Sequence, residues 1–164
     1  MATKIVHFER FSLVSSRPFD AIVKTIEAHV AHPYVKAFTV DMAAGANYAE
    51  LEGVVNKAVA GFDFMEFARF NVGEVLRKER GPQSARILRL VIGNPLVMKQ
   101  MVVHVPDAAS YAPVTILIDE RPDGVHLSYD QMASLLAPYE SAEATAVAQK
   151  LDAKIESLLA LAAG

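Results

Sequence analysis

Two apolar runs, Val114-Thr115-Ile116-Leu117-Ile118 and Val125 to Tyr129, flank the tripeptide Pro122-Asp123-Gly124. The first run is rich in β-branched residues that suit a pleated surface, and Asp-Gly is a strong hairpin signal. A hairpin commits two strands to antiparallel pairing. Around it, periodicity switches between helix and strand several times. Ile5 to Val14 reads as a strand. Ser16-Arg17-Pro18 then opens a helix carrying Phe19, Ile22, Val23, Ile26 and Val30, which His32-Pro33 closes because proline cannot continue it. A small-residue stretch at Ala43-Ala44-Gly45 leads to a second helix through Tyr48, Leu51, Val54, Val55, Ala58 and Val59, ending near Gly61. Residues 62–70 read as an aromatic strand, 75–79 as a short helix stopped by Gly81-Pro82, and 86–92 as another strand. After Pro138, Val147, Leu151, Ile155, Leu158 and Leu159 form one stripe of a long C-terminal helix. Strands interrupted by unevenly placed helices, together with the hairpin, predict an α+β fold: an antiparallel sheet with helices packed on one face. A chain of 164 residues suits a single domain over 1–164.

The run Ile92-Gly93-Asn94-Pro95 marks a strand-to-helix corner. Asn is a preferred N-cap, Pro is favoured at the first helical position, and the residue before Pro is held extended. The helix continues through Leu96, Val97, Met101 and Val102 to about Val103. One glycine before a helix is much weaker than a phosphate-cradling loop, so the corner reads as structural.

Composition excludes several classes. Hydrophobic residues make up 52% and charged residues 21%, which argues against disorder. A net charge of -3 offers no basic field for nucleic acid or anionic lipid. With no cysteine there is no disulfide, thiolate nucleophile or Cys-based metal site. Met1 to Ile5 lacks an apolar signal-peptide region and no apolar run approaches membrane-spanning length, so the expectation is a soluble cytoplasmic protein.

Alternation divides the strands into two faces. One carries Phe62, Phe64, Leu88, Leu90, Ile92, Val114, Ile116 and Ile118 and is the bed for the helices. The other mixes Met65, Phe67, Ile87, Val91 and Leu117 with Arg69, Arg89, Thr115 and Asp119. This second face is too apolar for bulk water and predicts a partner subunit, a covering helix or a ligand cavity. Arg69, Arg89, Asp119 and Asn94 are therefore the candidate ligand-binding residues.

His29 and His32 lie one helical turn apart, but no carboxylate completes a ligand set in register, so no metal or cofactor is predicted. Met98, Met101 and His104 recur every third residue, a pattern that core packing explains. No nucleophile elbow, phosphate-binding loop, dinucleotide fingerprint or zinc-protease helix occurs. Asp119 and Glu120 point to opposite faces and form no catalytic dyad; they read as a solvated strand end.

The order of Phe64-Met65-x-Phe67-Ala68-Arg69-Phe70, Val75 to Gly81, Ile92-Gly93-Asn94-Pro95, Tyr111-Ala112-Pro113, Val114 to Glu120, Asp123-Gly124 and Tyr129-Asp130 resembles the DUF302 family. The resemblance is good from about residue 60 onward, and a helical insertion around 42–61 is expected. It implies a TBP-like or Bet v 1-like α+β layout and a tendency to dimerise. No activity or catalytic residue carries over; Gly93, Asn94 and Pro95 transfer as the family's signature corner. The resulting expectation is a non-catalytic homodimer that binds a small apolar or anionic ligand. Two alternatives remain: a small hydrolase or isomerase using Arg89 with Asp119 or His126, and an interaction module without ligand.

Overall fold

A computed structural model describes residues 3–164, so Met1 and Ala2 of the N-terminal stretch Met1 to Ile5 lie outside the described residues. The chain runs β1 (Arg10–Ser15), α1 (Phe19–Glu27), α2 (Val35–Ala44), α3 (Tyr48–Ala58), β2 (Met65–Asn71), α4 (Gly73–Arg80), β3 (Ile87–Gly93), α5 (Pro95–Val102), β4 (Val114–Arg121), β5 (Gly124–Asp130), α6 (Met132–Leu136) and α7 (Ala142–Ala163). The five strands form one antiparallel sheet in the order β1-β5-β4-β3-β2. The fold is therefore α+β with a long C-terminal helix. Arg121 pairs with Gly124, leaving Pro122 and Asp123 as the hairpin turn.

One sheet face holds the core. Leu88, Leu90, Ile92, Val114, Ile116, Ile118 and Leu127 are buried against Phe19, Ile22 and Ile26 of α1 and Leu151, Ile155 and Leu158 of α7. Both helices repeat apolar residues every three or four positions, so one stripe of each faces the sheet. A smaller cluster of Phe38 from α2, Val55 from α3 and Met65 from β2 closes the β2 end of the sheet.

Three boundaries differ from the sequence reading. β1 begins only at Arg10 because β5 ends at Asp130; beyond that, Gln131 N–H donates to Glu9 O at 2.9 Å and Glu9 N–H to Ser134 Oγ at 2.9 Å, so the earlier residues meet α6 instead of a strand. α1 ends at Glu27 rather than His32, because Ala31 bridges to Met65 and accepts from Glu66 N–H at 2.8 Å. Residues 61–63 form a turn closed by a bridge between Ala60 and Phe64, with Gly61 and Asp63 at φ of 51° and 63°, and the strand starts at Met65. α2 and α6 have no counterpart in the sequence reading, because α2 lacks a one-sided apolar stripe and α6 has only five residues.

Asp119 and Glu120 are not a solvated strand end. Asp119 is buried and accepts from Arg121 Nε at 2.6 Å. Glu120 accepts from Arg86 N–H at 2.9 Å, Nε at 3.0 Å and NH2 at 2.7 Å, while Arg86 also reaches Asp20 at 2.8 Å and stacks over the Phe19 ring at 4.5 Å. The Arg86 hydrogen bonds hold the Glu120 carboxyl below its usual range. A carboxyl depressed in the folded state stabilises above its unfolded pKa and loses that contribution as pH falls through the folded value. Glu120→Gln should therefore cost about 1 kcal/mol at pH 7 for this half-exposed pair. In urea unfolding, that difference should shrink steadily below about pH 4.5.

Candidate functional site

The register places one row of residues across the second face: Phe70 opposite Arg89, Arg89 opposite Leu117, Leu117 opposite Ser128, and Ser128 opposite Ser12. Next to this row the sheet is hollowed, with a volume of about 400 Å³. Arg89, Thr115, Leu117, Ser128, Asp130 and Arg10 floor it, and Phe8, Tyr111 and Leu135 form its rim. Arg10 and Asp130 form a bidentate pair at 2.5 and 2.9 Å. Arg89 reaches Thr115 Oγ1 at 3.4 Å and lies 5.7 Å from the centre of the Phe70 ring. Of the four arginines on strands, Arg10, Arg69 and Arg121 each pair with a carboxylate; among the described residues Arg89 does not. The hollow thus carries a net positive charge on a partly apolar floor.

The other candidates fall elsewhere. Arg69 was expected beside Arg89, but a β-bulge between Glu66 and Ala68 puts it opposite Leu90, on the face that carries the helices. The bulge adds one residue to β2, and one residue is enough to invert every later side chain. There Arg69 binds Glu27 of α1 at 2.5 Å and Glu66 at 2.8 Å. Asp119 stands opposite both Ile87 and His126, one pleat beyond the Arg89 row toward the hairpin turn. Asp119 is held by Arg121, and His126 Nε2 meets Asp123 at 2.9 Å. Neither lines the hollow.

Asn94 caps α5 by accepting from Leu96 N–H at 2.8 Å and donates to Asp63 O at 3.1 Å, so both ends of its amide are engaged. Gly93, Asn94 and Pro95 border a second, smaller cavity of about 200 Å³, completed by Met98 and Met101 of α5 and by Ala112 and Pro113, which are joined by a cis peptide. His29 and His32 do not converge: His29 Nδ1 faces Thr25 O at 2.8 Å, and His32 Nδ1 faces Glu66 at 3.4 Å. Among the described residues no group of three or more His, Cys, Asp or Glu side chains is placed to hold a metal.

Sequence reasoning missed Asp152. It lies on the buried stripe of α7, where its Oδ1 accepts from Tyr129 OH at 2.6 Å and Met132 N–H at 2.8 Å, and its Oδ2 from Ala133 N–H at 3.0 Å. It thereby caps α6, whose Leu135 walls the hollow. Burial pushes the Asp152 carboxyl up, against these hydrogen bonds, and pushes the Tyr129 phenol up as well. The available signal was an acid next to Leu151 on an otherwise apolar helix face.

An antiparallel five-stranded sheet backed by α1 and α7, with a mixed hollow on its free face, defines a small α+β protein with a candidate binding surface. Residues 38–162 match the model of the domain of unknown function DUF302, and the chain belongs to that family. The crystal structure of an uncharacterised conserved DUF302 protein from Bacillus stearothermophilus has the same fold, with a TM-score of 0.64 at 11% identity over 93% of this chain and 97% of that chain. No curated protein matches this chain. No helix among the described residues is long and apolar enough to cross a membrane.

Proposed function

We propose that this protein is a non-catalytic binding module that takes a small organic anion in the hollow of the second sheet face. The observation that carries this reading is Arg89: a guanidinium without a carboxylate partner among the described residues, set on a concave, partly apolar floor. A charged hydrogen bond to such a group is worth about 1.5–3 kcal/mol, which suits recognition of a carboxylate. Thr115 and Ser128 add neutral hydroxyls to the same floor. The groups an acid–base enzyme would need, Asp119 and His126, are each held by another charged group outside the hollow. The test is a titration of the 15N-labelled protein with sodium hexanoate. Resonance shifts should concentrate at Arg89, Thr115 and Ser128, and Arg89→Met should weaken binding about tenfold or more. Absence of shifts at millimolar hexanoate, or equal affinity in Arg89→Met, overturns the reading.

A second element of the proposal is homodimerisation. Phe70, Val72 and Val75 are exposed together along β2 and the start of α4, at an edge of the sheet. Single exposed apolar residues are ordinary, but three neighbours at a sheet edge favour a contact. Native mass spectrometry should show a dimer that Phe70→Glu dissociates; a monomer at micromolar concentration rejects this element.

A further inference from the structure

We infer that the anion held at Arg89 is the head of a medium-chain aliphatic carboxylate, whose tail runs along β3 into the apolar cavity at the Gly93-Asn94-Pro95 corner. This inference rests on the binding proposed above and adds the ligand's class and orientation. Alternate residues of a strand share a face, so Arg89, Val91 and Gly93 form one row on the second face of β3. Arg89 lines the hollow and Gly93 the apolar cavity, and Val114 borders both. The two cavities therefore meet at Val114, and Val91, the apolar residue between Arg89 and Gly93 in the row, would lie beneath the tail.

The charge and the grease are separated as an amphipathic ligand requires. The hollow offers Arg89 with hydroxyls, whereas the corner cavity is walled by Met98, Met101, Phe67, Pro113 and other apolar groups. Asn94 is the one polar side chain there, and its amide already bonds to Leu96 N–H and Asp63 O. Nothing in that wall would reward a polar tail, so the occupant is a hydrocarbon. Length follows from geometry. Four residues of strand, from Arg89 to Gly93, span about 13 Å. An extended alkyl chain advances about 1.3 Å per carbon–carbon bond, so roughly ten carbons cover the distance. A side chain at Gly93 would crowd this corner, since a Cβ there would sit 3.1 Å from Pro113 Cβ and 3.7 Å from the Phe67 ring.

The experiment is calorimetric titration of the full chain with sodium butyrate, hexanoate, octanoate, decanoate and dodecanoate, each below its micelle-forming concentration. Affinity should rise about two- to fourfold per methylene and level off near decanoate. Substitution at Gly93 would disturb the corner itself, so the cavity is filled from α5 with Met98→Phe, which should move the plateau to a shorter acid while the thermal melt stays cooperative. Arg89-dependent binding with no gain from butyrate to decanoate overturns the tail assignment and leaves the anion site standing. A chain-length gain that Met98→Phe does not alter places the tail elsewhere and also overturns it. Failure of every acid to bind overturns both this inference and the reading it rests on.

Discussion

Asp152→Ala should lower stability by about 3 kcal/mol, because it strands three donors that the carboxylate now satisfies. Those donors are Tyr129 OH, Met132 N–H and Ala133 N–H, and the first two lie in the buried core. For a chain of this size the loss corresponds to about 10 °C in melting temperature, readable by calorimetry. Asp152→Asn should recover only part of it, since its amide nitrogen would face the Ala133 N–H donor. The sign of the pH dependence follows from the raised carboxyl. A carboxyl whose pKa is higher folded than unfolded stabilises most at acid pH, and this contribution falls as pH rises through the usual carboxylate range toward the folded value. The gap between the native chain and Asp152→Asn should therefore be widest near pH 3 to 4 and narrow toward neutrality. A gap that widened toward neutral pH would mean that the hydrogen bonds, not burial, dominate this carboxyl. The effect reaches the hollow as well, because the same carboxylate holds α6 and with it Leu135.

Gly61→Ala should be comparably damaging, at about 3 kcal/mol. Gly61 adopts φ of 51°, and a Cβ there would lie 2.5 Å from His29 O and 3.0 Å from His29 Cα, all backbone atoms with no side chain to swing aside. The chain crosses itself at this point: Phe62 N–H donates to His29 O at 3.4 Å, and the His29 and Phe62 rings meet edge-on at 5.8 Å. The crossing aligns residues 29–31 with the start of β2, where Glu66 N–H bonds Ala31 O. Gly53→Ala provides the contrast. It lies within α3 with no atom within 4 Å of its Cβ position, so alanine should raise stability by about 0.5–1 kcal/mol through reduced backbone entropy. Parallel guanidinium melts of the two variants check both; equal effects would show that the crossing at His29 is loose.

Much of the fold was legible from local signals. The Asp123-Gly124 hairpin, the Asn94-Pro95 helix start and the apolar stripe of α7 all formed as their residue types dictate. Alternation also sorted β3 and β4 into faces correctly, because neither strand contains an irregularity that changes its phase. The β2 face assignment failed after Phe67. A bulge has no distinctive residue signature here, and one unpaired residue moved Arg69 from beside Arg89 to a clamp between α1 and Glu66.

The candidate site divides in the same way. The sequence by itself determined that the second sheet face is mixed in polarity, that Arg89 lies on it, and that Gly93-Asn94-Pro95 turns strand into helix, since each depends on neighbours within a few residues. Only the tertiary structure decided that Arg89 lacks a carboxylate partner among the described residues while Arg10, Arg69 and Arg121 have one, that Asp119 and His126 stand a pleat away, and that Asp152 caps a helix 20 residues upstream. The physical reason is that helix starts and strand faces are set by backbone preferences along the chain, whereas ion pairing and burial depend on which distant segments the packing brings within a few ångströms.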